Sequence, residues 1–200
     1  MNVIEMTKRC YEASKSKGFW DTERNQAEAF ALIISELNEA FEAHRKNGFA
    51  KLDQYMQTLA ERNFLIDQRN KTLNENKPLL SFFKPDFEVC IKDTVEDELA
   101  DVLIRIFDFC GGFNISTSIL DTIPLSYKNI IKVTNFGEKV LLINYYSTDA
   151  YFSMGPSMGI REIYKHTLNL CQELNINIEK HIELKLQYNA TRGYKHDKQY

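Results

Sequence analysis

Between Arg24 and Lys46 the apolar residues Phe30, Ile33, Ile34, Leu37, Ala40 and Phe41 recur every three or four positions. That is the period of a helix with one buried face, and Asn47-Gly48 supplies its stop. The same pattern predicts helices over about 2–16, 50–70, 94–110, 158–174 and 178–192. Thr94-x-x-Asp97 has the form of a capping box, and Gly111-Gly112 and Gly193 read as helix ends. Residues 74–92, with Pro78 and Pro85, read as irregular. The stretch 126–147 is compatible with a strand at VLLINYY. Ile130, Val133, Val140, Leu141 and Asn144 also fit helical spacing, and a helix is the expectation there. The fold class is all-α.

Composition agrees. Eight glycines and four prolines in 200 residues are too few for a turn-rich β architecture. A net charge of −3, from 25 Lys+Arg against 28 Asp+Glu, argues against binding polymeric nucleic acid. Cys10, Cys90, Cys110 and Cys171 are scattered without a CxxC pair, as in reduced thiols of a cytoplasmic protein. No leader-like or membrane-spanning apolar run is read, so no membrane partner is expected.

Two acidic pairs interrupt the apolar pattern. Glu36 and Glu39 are three apart and share a helix face, with Leu32, Ala29, Ala40 and Ala43 around them. Glu98 and Asp101 repeat the device at the edge of the stripe Leu99, Val102, Leu103, Ile106 and Cys110. Either pair alone reads as solvated surface. If the two helices pack antiparallel, four carboxylates converge, which requires raised pKa values or a cation. All-oxygen ligation favours Mg²⁺ or Mn²⁺ over zinc. Glu42, Glu96 and Asp108 read as solvated charges, and Asp97 as a cap.

Near the C-terminus, Ile178, Ile182, Lys185, Asn189 and Arg192 follow at steps of four, three, four and three, forming one stripe. It begins apolar and ends with a cation, an amide and a second cation. An anion cleft explains it, and so in part does a helix end made basic to suit its dipole. Neither cation is expected to have a buried internal partner. Tyr194, Lys195 and His196 follow immediately.

Together these motifs resemble the MazG-like, all-α nucleoside triphosphate pyrophosphohydrolases, whose signature is a Glu-Glu-x-x-Glu helix followed by a Glu-x-x-Asp helix. Ser35-Glu36-Leu37-Asn38-Glu39 is similar to the first, with Ser35 in place of the leading Glu. Glu98-Leu99-Ala100-Asp101 is similar to the second. The ending Lys185…Asn189-x-x-Arg192…Lys195-His196 resembles the family's tail, with Asp197 where the family has Gly. Lys17-Gly18-Phe19-Trp20-Asp21 is similar to the segment before the first acidic helix in one branch. The resemblance covers about 80 residues and implies one domain over residues 1–200, a helical bundle with insertions at about 48–92 and 115–165.

The resemblance implies hydrolysis of an NTP or dNTP to NMP and pyrophosphate. Glu36, Glu39, Glu98 and Asp101 would hold one to three Mg²⁺, with Mn²⁺ as substitute. Glu36 or Glu39 would take the proton of the attacking water. Lys185 and Arg192 would bind pyrophosphate and Asn189 would orient a phosphate, with Lys195 and His196 closing over the anion. Trp20 would stack on a nucleobase or pack in the core, with Arg24 and Asn25 as weaker base or sugar contacts. Phe82, Phe83 and Phe87 would pack beneath a long loop or wall the cleft. A homodimer or higher homo-oligomer is expected. The alternative is a catalytically silent nucleotide-binding or protein-interaction bundle, for which Ser35 is the main support.

Overall fold

The computed structural model describes residues 1–121 and 135–197. Among them the chain is all-α: α1 (Val3–Ser16), α2 (Gln26–Arg45), α3 (Leu52–Leu73), α4 (Lys84–Cys90), α5 (Val95–Gly112), α6 (Ser118–Asp121), α7 (Phe136–Met154), α8 (Pro156–Glu173) and α9 (Ile178–Ala190), then a 3₁₀ turn, Tyr194–Asp197. No helix of the described residues is long and apolar enough to cross a membrane.

Side-chain caps mark the helix starts. The Asn2, Asn25, Asn135 and Asn177 side chains each accept from an amide in the first turn of α1, α2, α7 and α9. Asn25 Oδ1 takes both Ala27 N (2.8 Å) and Glu28 N (3.2 Å), so this oxygen serves the helix rather than the expected sugar or base contact. Asparagines also end helices. Asn47, Asn74, Asn114 and Asn175 sit in the left-handed region just beyond α2, α3, α5 and α8, which is how the chain stops helices with so few glycines. Gly111 and Gly112 are the last two residues of α5, as expected, but the left-handed stop after it is Asn114. A Cβ on Gly112 would come 2.0 Å from the Trp20 ring.

α5 is buried on nearly every side, with α1, α2, α8 and α9 packed around it. Leu99, Val102, Leu103, Ile106 and Phe107 interlock there with Ile33 and Leu37 of α2 and Ile160 and Ile163 of α8. A helix apolar all round belongs at the centre of its layer. Two ion pairs, Glu36 with Arg105 and Arg24 with Asp108, fix α2 antiparallel to α5.

The stretch expected to be irregular contains the short helix α4. With α3 it builds a second, smaller core against α9 from Tyr55, Leu59, Phe87, Ile91, Leu184 and Tyr188. Phe87 stacks on Tyr188 at 4.8 Å and meets Phe82 at 5.4 Å, so this aromatic group packs rather than walls a cleft. The helix expected over 126–147 is helical from Phe136 and runs on to Met154. Its first part, including Ile130 and Val133, lies outside the described residues.

Candidate active site

Glu36 of α2 and Glu98 and Asp101 of α5 converge, with one carboxylate oxygen from each within 4.8 Å of the others. A second trio, Asp93, Asp97 and Glu98, adjoins it through Glu98. Glu36, Asp97 and Glu98 are buried. Glu39 is not one of either trio, although its charge reaches Glu36 and helps to raise that group's pKa. It is exposed, and Ser35 Oγ donates to its Oε1 at 3.2 Å. Three residues along a helix is 300°, so Glu39 lies 60° round the helix from Glu36, toward its solvated side.

Two cations stand inside the acidic group. Arg105 Nε donates to Glu36 Oε1 at 2.6 Å. Lys185 Nζ reaches Asp97 Oδ2 at 2.7 Å and Asp101 Oδ2 at 2.8 Å. The expected cation stripe does face inward, but Lys185 has the buried partners it was expected to lack. Burial works against its ammonium, yet Asp101 and Asp97 outweigh it and hold the Lys185 pKa above the ordinary lysine range. Asp97 is likewise more than a cap. Thr94 Oγ1 accepts from Asp97 N at 3.4 Å, while Asp97 Oδ2 accepts from Asp93 N at 3.0 Å, one residue before the expected box partner.

Glu98 is the exception. Its carboxylate enters no hydrogen bond or ion pair among the described residues. Burial, reinforced by Asp101, Asp97 and Glu36 and opposed by Lys185, pushes its pKa up to about 8. Burial also raises Glu36, against the pull of Arg105.

Beside the acids opens a cavity of about 700 Å³ between α1, α2, α5 and α9. Asp101, Arg105 and Asp108 line it from α5, Asn189 and Arg192 from the α9 end, and Arg24 and Phe19 from the loop before α2. Its size is that of a small-molecule site. The Arg192 guanidinium makes no ion pair among the described residues and lies 6.0 Å from the Tyr188 ring. The Asn189 Oδ1 atom is buried without a hydrogen-bond partner. Lys185, Lys195 and Trp20 are not among the lining residues. Lys195 belongs to the 3₁₀ turn, where its amide donates to Lys17 O at 2.8 Å. The His196 side chain lies outside the described part.

Trp20 is held in a packed position. Its ring meets Tyr11 and Phe113 edge-on at 5.6 and 5.2 Å, and Arg24 Cζ covers it at 4.8 Å. Its Nε1–H donates to Asp108 Oδ1 at 2.8 Å. Of the two readings of Trp20, packing is the one this geometry favours, and the aromatic residue facing the cavity is Phe19. Asp108, expected in solvent, is instead a half-buried acceptor for Trp20, Ser14 and Arg24. Burial raises its pKa to about 6 against those donors. Arg105 and Asp108 were legible in principle: Glu98, Asp101, Arg105 and Asp108 stand at steps of three, four and three, a charged stripe on an otherwise apolar helix.

Comparison with known protein families, with curated proteins and with solved structures finds no match to this chain.

Proposed function

We propose that this chain is a divalent-cation-dependent nucleoside triphosphate pyrophosphohydrolase with a bundle of the MazG-like type, converting an NTP or dNTP and water to NMP and pyrophosphate. The observation that carries the reading is Glu98: a buried carboxylate that enters no hydrogen bond or ion pair among the described residues and faces Glu36 and Asp101, the last of which lines a nucleotide-sized cavity. A cluster of largely buried carboxylates, with Asp97 Oδ1 buried and unfilled beside Glu98, is the donor chemistry that suits a hard cation. Glu36, Glu98 and Asp101 would hold Mg²⁺ or Mn²⁺. When bound, the ion supplies charge neutralisation at the phosphates and a lowered pKa for water.

The chain's own groups do the rest. Arg192, free of internal ion pairs, and Asn189, with an unfilled acceptor, bind phosphate oxygens or their bound water. Glu36 Oε2 is left open because Arg105 holds Oε1, so Glu36 takes the water's proton at Oε2. Lys185 acts as a counter-ion that positions Asp101 rather than as a phosphate ligand. The expected homodimer belongs to the same proposal, and the outward face of α7, with Leu141, Tyr145 and Phe152 exposed, is apolar surface suited to it.

A second reading has its own support. Lys185 and Arg105 neutralise part of the acidic group from within, as they would in a silent nucleotide-binding bundle. One experiment separates the two. The protein is incubated with a panel of ordinary and modified NTPs and millimolar Mg²⁺ or Mn²⁺, and NMP and pyrophosphate are measured. Product that disappears in Glu98→Gln supports the enzyme. No product from any nucleotide, with no shift of the melting curve by either ion, establishes the silent bundle.

A further inference from the structure

Asp101 and Asp108 are seven residues apart on the cavity side of α5, about 10.5 Å along the helix. That is comparable to the reach of a nucleoside from its 5′ oxygen to the far edge of its base. Phosphates lying beside Asp101 therefore bring the base toward Asp108.

There a single carboxylate oxygen organises two side chains. Asp108 Oδ2 accepts from Ser14 Oγ at 3.1 Å and from Arg24 Nη1 at 3.2 Å, while Oδ1 is filled by Trp20. The hydroxyl and the guanidinium thus stand side by side, and both line the cavity. An ionised carboxylate only accepts, so the one proton of Ser14 is committed to Asp108. Ser14 Oγ then has only lone pairs left to offer, and Arg24 only N–H groups. A ligand meets a donor and an acceptor in adjacent positions, with their roles set by the Asp108 carboxylate, whose two oxygens are already taken by Trp20, Ser14 and Arg24.

The complementary edge is a carbonyl next to a ring N–H. Uracil and thymine carry it at O4 and N3–H, guanine and hypoxanthine at O6 and N1–H. Adenine and cytosine carry the reverse, an amino group next to a bare ring nitrogen, which would set donor against donor and acceptor against acceptor. We propose that Ser14 and Arg24, held by Asp108, form the base-reading end of the cavity and select nucleotides with this carbonyl/N–H edge, Phe19 supplying an aromatic wall. The proposal rests on the nucleotide reading above and adds the substrate class. Arg24 reads the carbonyl, Ser14 the N–H, and Asp108 is a positioning residue.

The test is the dissociation constants of GMP, UMP, AMP and CMP, measured calorimetrically at pH 7.5 with Mg²⁺, beside kcat/KM for the four NTPs. GMP and UMP are expected to bind about 10- to 100-fold more tightly than AMP and CMP. In Ser14→Ala most of that gap should close while melting stays near wild type. Should this variant fail to fold, the wild-type panel still decides. Equal affinities, or preference for AMP or CMP, overturn the base assignment, and equal turnover of all four NTPs does so while leaving the pyrophosphohydrolase reading intact. Binding of none of the four, with no turnover, removes both.

Discussion

The two ends of α5 bury charge in opposite ways. At Asp108 one carboxylate meets three donors, Trp20, Ser14 and Arg24, and each of its oxygens is occupied. At the other end the four acids Glu36, Asp97, Glu98 and Asp101 share two cations, Lys185 and Arg105, among the described residues. Glu98 is left without a partner there, and one oxygen of Asp97 is unfilled. A satisfied polar network locks its members in one geometry, whereas an under-satisfied one is stabilised by whatever cation or proton reaches it. The first end is built to hold side chains still. The second is built to receive.

The largest break in this contrast should come from Lys185→Met. It removes the cation between Asp97 and Asp101 and leaves both acids uncompensated, costing about 3–5 kcal/mol of unfolding free energy. Urea denaturation in chelator measures it, and a loss below about 1 kcal/mol would show that Lys185 is dispensable to the acids. Added Mg²⁺ should restore part of the loss.

Glu98 sharpens the contrast through pH. Its folded pKa, about 8, lies above the unfolded value near 4.5. Between those values the folded state holds a proton the unfolded state has released, so stability is full below about pH 4.5 and falls as pH rises to 8. Glu98→Gln removes this fall, and in metal-free buffer the variant should be about 2–4 kcal/mol more stable than wild type at pH 8. His181, buried and depressed to about 4, runs the other way and loses stability as pH drops from about 6.5. Because His181 is common to both proteins, the difference between their pH curves isolates Glu98. Curves that stay parallel would refute the buried, unpartnered acid.

Trp20→Phe probes the satisfied end. The ring packing is kept but Asp108 Oδ1 loses its donor, an effect of about 1–3 kcal/mol read by circular dichroism on heating. An unchanged melting temperature would mean that water replaces the indole. Glu39→Gln should do least. An exposed carboxylate with one hydroxyl neighbour contributes within about 0.5 kcal/mol, and turnover should persist if Glu36, Glu98 and Asp101 suffice. Abolished turnover would return Glu39 to the site.

Much of this was legible in the chain. Apolar spacing located α2 and α5 to within two residues, Thr94 marked the start of α5, and the stripe from Ile178 to Arg192 does turn inward through Ile182 and Lys185. Spacing gives a face but not the group opposite it. Lys185 and Asp97 are 88 residues apart, and nothing local in either segment joins them. Nor does spacing tell Glu36 from Glu39: an i,i+3 pair spans 60° of the helix, wide enough for one acid to be buried and the other exposed. Asp108 reads as solvated in the sequence because its three donors come from α1 and the loop before α2. Gly111 and Gly112 do mark the end of α5, but their spacing does not reveal the close approach of Tyr11 and Trp20 that requires glycine there.

The rim of the cavity is a seam between residues far apart in sequence. Lys17 Nζ donates to the carbonyls of Ala190 and Arg192, Lys195 N donates to Lys17 O, and Tyr194 OH donates to Asp21. Gly18 makes room at φ 82°, where a Cβ would strike the Tyr194 ring. These contacts span more than 170 residues. Long loops of this kind delay contact formation, so the seam should close late in folding, after α2 has met α5. During refolding the α2–α5 ion pairs would then form before Arg192 reaches the wall. Pulsed hydrogen exchange should find α5 amides protected ahead of the Lys195 amide, and binding competence should appear with the second event.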